Sequence, residues 1–284
     1  MAQPKRQPRK PADLTDYLQQ RVHFGDLIIP IAVSLEADDS VIVSTLYSGS
    51  QWPKRESPPP GLAFRFCRLS EAPPVQVRNF AATYGVLGPS AAAFFGHRTP
   101  RPRSAKTWTE PVRLWHKAAS MTRALGRLAA ALREREPGAA SDWAIASARE
   151  ATPIDSRHLS VAERRELFLH LLDQWCEVAR PTERSEWLKG DGPSTRVEGA
   201  AAQSSLLCAV THELRLAANS EKGLVICTSC HYAYYPPRMV PIGQPRKFCD
   251  EEDCGLRGAW RMAKQLGPTG PTTATGGQKG ALDG

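Results

Sequence analysis

Four cysteines stand in two close pairs near the C-terminal end of this chain. Cys227 and Cys230 enclose two residues, eighteen residues follow, and Cys249 and Cys254 enclose four. A Cys-x2-Cys turn lets both sulfurs point at one centre, and a tetrahedral ion takes four such ligands. The stretch between the pairs holds Tyr232, Tyr234, Tyr235, Pro236-Pro237 and Gly243. That composition suits a short hairpin bringing the second pair back to the first. Cys67, Cys176 and Cys208 stand alone and read as small buried residues. The spacing therefore predicts one structural zinc ion on Cys227, Cys230, Cys249 and Cys254, with no coordination position left for a reactive water. His231 is the competing ligand beside Cys230, where an imidazole would have to displace a neighbouring thiolate.

Compartment bears on that reading, because paired cysteines suggest metal in a reducing cytoplasm and disulfides outside it. The N-terminus reads Met-Ala-Gln-Pro-Lys-Arg-Gln-Pro-Arg-Lys, basic and without the apolar stretch of a signal peptide. The longest apolar run, Leu27 to Val33, contains Pro30 and falls far short of the about 20 residues a bilayer span needs. A cytoplasmic protein without membrane contact is expected. The formal net charge of +8 favours an anionic partner without identifying one.

Residues 1–20 read as a flexible basic tail. Leu27–Leu35 and Val41–Tyr47 are rich in β-formers and flank the turn-forming Ala37-Asp38-Asp39-Ser40, which predicts a hairpin. Trp52 to Pro60 reads as a Pro-rich loop. Leu62, Phe64 and Phe66 alternate with Ala63, Arg65 and Cys67, as in a half-buried third strand. The period then turns helical. Pro73-Pro74 starts a helix carrying Val77, Phe80, Ala81 and Tyr84, which Gly85 or Gly88 stops. Residues 97–106 form a basic loop. The strongest helix follows, with Val112, Trp115, Ala119, Thr122, Leu125, Leu128, Ala129 and Leu132 on one face, ending before Pro137-Gly138. Ser160 and Glu163 match a capping box for a helix with Val161, Leu167, Phe168, Leu171, Leu172, Trp175 and Val178 as its apolar face. Another helix is expected near 200–218, with Leu207, Val210, Leu214 and Ala217 inward. Residues 267–284 have no core candidates and read as a disordered tail.

The expected fold is α+β and mostly α. A small N-terminal β element and a helical body span 21–220, and a treble-clef-like zinc finger spans 221–266. Within the finger, Gly255 onward predicts a helix with Leu256, Ala259, Trp260 and Ala263 apolar.

The stretch Phe248-Cys249-Asp250-Glu251-Glu252-Asp253-Cys254-Gly255-Leu256-Arg257 resembles the signature of the CGNR zinc fingers, with Leu256 where the family has Asn. Upstream, Phe66 to Gly88 and Glu110-Pro111-Val112-Arg113-Leu114-Trp115 are similar to the ABATE domain that accompanies that finger. The resemblance covers about residues 60–265. It implies a bacterial, stress-induced transcription regulator that binds DNA.

Arg257, Arg261 and Lys264 lie at i, i+4 and i+7, so a helix there would align them along a phosphate backbone. Arg246 and Lys247 add charge ahead of the second cysteine pair. Against this, Asp250, Glu251, Glu252 and Asp253 sit between the last two ligands, and residues 221–266 carry seven basic and five acidic side chains. Two functions are expected from this balance. One is a DNA-binding regulator using Arg246, Lys247, Arg257, Arg261 and Lys264, its body dimerising or sensing a signal. The other is a protein-interaction module whose Tyr232, Tyr234, Tyr235 and Trp260 form a contact patch on a purely structural zinc element.

No enzyme is expected. His212-Glu213-Leu214-Arg215-Leu216 begins like a zinc-protease helix, but Leu216 occupies the place of the second histidine. A deaminase would need His-x-Glu and Pro-Cys-x-x-Cys, and here Glu213 directly follows His212 while Ile226 precedes Cys227.

Overall fold

The computed structural model describes residues 27–45, 54–96, 107–148, 150, 154, 156–178, 181–188, 192–199, 205–220, 222–236, 239–243, 247–249 and 254. The tails 1–20 and 267–284, the loop 97–106 and the helix expected from Gly255 lie outside these residues.

The expected hairpin is present. Strand β2 (Ala32–Leu35) pairs antiparallel with β3 (Val41–Thr45), Val33 opposite Ser44, and Asp38 takes the Ser40 amide and hydroxyl in the turn. Three other described strands lie in this region. β1 (Leu27–Ile29) pairs with β4 (Lys54–Glu56), where a loop was expected. β5 (Thr107–Pro111) lies along β3 and places Glu110 opposite Ile42.

The segment expected as a third strand is a helix, α1 (Leu62–Cys67). Leu62, Ala63, Phe66 and Cys67 are buried, which is the i, i+1, i+4, i+5 face of one helical turn. A distant carboxylate fixes this outcome. The Gly61 amide donates to Glu213 Oε1, and the Ala63 amide donates to Glu213 Oε2 at 2.7 Å. Glu213 thus caps the helix start from another helix, satisfying amides that have no intrahelical partner. A tertiary cap overrides the alternating pattern.

Helix α2 (Pro74–Tyr84) starts at the proline as expected, and Gly85 ends it. A short α3 (Pro89–Phe94) follows. The spine of the molecule is α4 (Val112–Arg133), with Trp115, Ala118, Leu125 and Leu128 fully buried. Phe66, Phe80 and Trp115 pack ring on ring, with centroids 5.9 to 6.4 Å apart. Helix α5 (Ala140–Ala146), not expected from the pattern, seats Trp143 against the spine, and Trp143 Nε1 donates to Pro137 O at 2.8 Å.

Helix α6 (Val161–Val178) opens with the expected reciprocal cap. The Ser160 amide donates to Glu163 and the Glu163 amide to Ser160 Oγ, at 2.7 and 3.2 Å. Strands β6 (Pro181–Leu188) and β7 (Gly192–Gly199) form a hairpin that the sequence patterns did not indicate. Helix α7 (Ser205–Asn219) then returns to the core with Leu207, Val210, Leu214 and Ala217 buried. The architecture is mostly helical with a small sheet, as expected. No helix among the described residues is long and apolar enough to cross a membrane.

One polar construction lies inside this core. Glu110 is 2% exposed and accepts four N–H donors. They are the Leu87 and Gly88 amides at 3.2 and 2.6 Å and the Trp108 and Trp115 indoles at 2.8 and 3.0 Å. Burial pushes its carboxyl up to about 7, against the pull of those four donors.

Candidate metal centre

The C-terminal module begins with β8 (Val225–Ile226), which pairs antiparallel with β9 (Ala233–Tyr234). The chain between them is a tight knuckle. Cys227 donates its amide to Tyr232 O at 2.9 Å and accepts from the His231 amide at 3.0 Å. His231 takes a left-handed φ of 59°, a conformation histidine tolerates better than most residues. Its ring is exposed, and the fourth ligand position belongs to Cys230. The second pair is laced to the first. Thr228 donates to Lys247 O at 2.6 Å, and the Lys247 amide donates to Thr228 Oγ1 at 3.0 Å.

These bonds bring Cys227, Cys230, Cys249 and Cys254 together, their sulfurs all within 4.8 Å of one another. Cys227 Sγ lies 3.7 Å from Cys254 Sγ, and Cys230 Sγ lies 3.8 Å from Cys249 Sγ. A zinc–sulfur bond of about 2.3 Å implies a tetrahedral edge of about 3.8 Å. The separations match that edge and are far too long for a disulfide of about 2.05 Å. Four thiolates complete a coordination sphere, so the donor set fits a structural ion. The Ser229 and Cys249 amides lie 3.4 and 3.5 Å from Cys227 Sγ. Burial pushes the Cys227 thiol up, but the amides of Cys230, Cys249 and Ser229, with the Cys230 thiol, outweigh it and bring it to about 7. At the isolated cysteines burial outweighs whatever opposes it. Burial holds Cys67 and Cys176 at about 12 and Cys208 at about 11, as inert core thiols.

The end of the spine clamps this module. Arg133 Nη2 donates to Val240 O at 2.8 Å. Glu134 accepts the Gly243 amide at 2.7 Å and pairs with Lys247 Nζ at 2.7 Å. Burial would raise the Glu134 carboxyl, but the Gly243 amide, Lys247 and Arg133 together hold it below the ordinary glutamate value. Gly223, at φ 62°, lies flat beneath Arg133, and a Cβ there would meet Arg133 Cδ at 2.4 Å. On the other side, a Cβ on Gly126 of the spine would meet Ala233 Cβ at 3.3 Å.

Of the five basic residues expected to face nucleic acid, only Lys247 is described. Its side chain is 13% exposed and its charge is matched by Glu134. Arg246, Arg257, Arg261 and Lys264 lie outside the described residues. The expected aromatic patch is turned largely inward. Tyr234 is buried, Tyr232 and Tyr235 are half-buried, and Trp260 is outside the described residues. His212 and Glu213 belong to the body. Burial, with Arg215, pushes His212 down to about 4, and Glu213 serves as the cap of α1. Sequence reasoning missed Arg133 and Glu134, which stand over a hundred residues from their partners.

No family model matches this chain, and neither the curated proteins nor the solved structures contain a match to it.

Proposed function

We propose that this chain is a zinc-finger DNA-binding protein, a transcription regulator of the bacterial CGNR type, in which one structural zinc orders the C-terminal module. The observation that carries the reading is the closed set of four sulfurs on a tetrahedral edge. Such a set builds a surface and leaves no site for substrate. Cys227, Cys230, Cys249 and Cys254 would hold the ion, which supplies the module with the cohesion its few core residues lack. The net charge of +8 supports an anionic partner, and Arg246, Arg257, Arg261 and Lys264 supply the phosphate contacts. Lys247 contributes by docking the module. The helical body dimerises or senses the signal, and no catalytic step is assigned.

The test is retention of a labelled duplex by the full-length, zinc-loaded protein. Binding should be present at low ionic strength and fall steeply with salt, because each neutralised phosphate releases counterion. Arg257→Glu with Arg261→Glu should abolish it. No retention by the unaltered protein at low salt overturns the proposal.

One observation favours a second reading. Met239 and Ile242, on the loop between the cysteine pairs, are 63% and 59% exposed. They suit a protein-interaction module with a purely structural zinc element. Under that reading the double reversal at 257 and 261 spares partner capture, and Met239→Ser with Ile242→Ser removes it.

A further inference from the structure

A second basic surface lies on the helical body, outside the residues that the sequence pattern marked. Arg65 and Arg68 are both exposed and stand three residues apart along α1 and the turn that follows it. That spacing puts them on one face, with Cβ atoms about 5–6 Å apart. Each head group meets a tyrosine. Arg65 Nη1 donates to the Tyr84 hydroxyl at 3.2 Å. The Arg68 guanidinium lies over the Tyr232 ring at 5.8 Å, and that of Arg123 lies over the same ring at 4.7 Å. Tyr232 belongs to the zinc knuckle, so the metal-ordered hairpin helps to set the direction of the body's arginines.

Between them runs a groove of about 310 Å³, lined by Phe64, Arg65 and Arg68 from the body and by Tyr232, Tyr234 and Tyr235 from the finger. No carboxylate lines it among the described residues. Two described acids of the surrounding elements are engaged elsewhere. Glu213 accepts the Gly61 and Ala63 amides, and Glu71 pairs with Arg123 at 2.7 Å. Lys222 lies over the Tyr235 ring at 5.7 Å and adds a further positive charge at the edge.

Cationic groups that follow a backbone, interleaved with aromatic faces on which a base can stack, are how single strands are held without sequence preference. From this juxtaposition we infer that the groove between α1 and the zinc knuckle binds a single-stranded segment of nucleic acid. Arg65 and Arg68 take successive phosphates, and Phe64 offers the stacking face. The inference builds on the nucleic-acid reading above and assigns it a surface made jointly by body and finger. It also gives the finger a second task, since losing the metal would release Tyr232 and with it the setting of Arg68.

The experiment compares fluorescence anisotropy of a labelled oligothymidylate and of a duplex of the same length, using the full-length zinc-loaded chain. The unaltered protein should bind the single strand. Arg65→Glu with Arg68→Glu should weaken that binding about tenfold or more, and Arg65→Gln with Arg68→Gln should flatten its log–log salt slope by about 1.4. Phe64→Leu should weaken it about fivefold with the salt slope unchanged. Zinc content and circular dichroism confirm that each variant is folded, and the glutamine pair decides if the glutamate pair is not. Unchanged single-strand binding in the glutamine pair overturns the inference, and so does duplex binding without any single-strand binding. Binding to neither probe overturns the DNA reading as well. If Arg257→Glu with Arg261→Glu removes duplex binding and leaves single-strand binding intact, the two surfaces are separate and the groove assignment stands.

Discussion

The body and the finger each bury groups that can carry negative charge, and they surround them in opposite ways. In the body, the Glu110 carboxyl is met by four N–H groups, with no ion pair to a cation among the described residues. In the finger, four sulfurs converge at a spacing that suits a divalent ion. The difference follows from the size of the core behind each. The body has three fully buried tryptophans and a continuous apolar cluster, so dipoles fixed by surrounding structure suffice. Among the described residues the finger's own buried cluster is Val225, Cys227, Tyr234, Cys249 and Cys254, so most of its members are the sulfur ligands themselves. An ion held by the four sulfurs would supply the cohesion that so small a cluster lacks.

The largest expected effect is therefore metal removal. Chelation, or Cys249→Ser, should unfold the finger and leave the body's helices in place. Structural zinc contributes on the order of 10 kcal/mol to so small a unit. Hydrogen exchange should show residues 222–249 losing protection while α4 keeps it. Equal loss in both regions would erase the contrast. Next is Glu110→Ala, which strands four buried donors at about 1–3 kcal/mol each before relaxation. Denaturant midpoints should fall by more than a cavity of that size explains, with zinc content unchanged. A stable, normally folded Glu110→Ala protein would show that the caged carboxylate carries no weight.

How far this contrast was readable beforehand depends on distance along the chain. The four thiols are close in sequence, and their spacing alone announced the site. Helices α4, α6 and α7 and the β2–β3 hairpin were legible because period, caps and turns are local signals. Helix α1 was misread because its decisive partner, Glu213, is 150 residues away. Nothing near Lys54–Glu56 or Thr107–Pro111 announces their partner strands, and the β6–β7 hairpin escaped the pattern as well. The Arg65–Arg68 groove was invisible for a further reason. Its aromatic half comes from the finger, and exposed arginines on a helix are ordinary until a ring is found beneath them.

Two smaller effects probe the seam between the regions. Glu134→Ala removes acceptors for Gly243 and Lys247 and should loosen the finger by about 1.5–3 kcal/mol, read as faster exchange in 239–249. The same contact predicts a pH dependence. The folded carboxyl is lowered, so its contribution is complete above the ordinary glutamate value and disappears as pH falls through the lower folded value. Docking should therefore hold at neutral pH and weaken only in acid, which exchange measured across that range will reveal. Smallest is Gly223→Ala. It adds a methyl where φ is 62° and the new Cβ would fall 2.4 Å from Arg133 Cδ, for about 1 kcal/mol of strain if Arg133 swings aside. No change in exchange at Val240 would mean that Arg133 does not hold that carbonyl in solution.

The Gly126–Ala233 contact has one more consequence. Gly126 carries no side chain, and a Cβ placed there would stand only 3.3 Å from Ala233 Cβ, so the hairpin packs directly on the helix backbone and leaves no sliding layer of solvent at that point. The finger is thus bolted to the spine as a gear tooth is to its shaft. Any macromolecule that engages the tip is set at a fixed angle to the whole protein, and rotating that protein, for example by pairing it with a second copy, would turn the bound molecule with it.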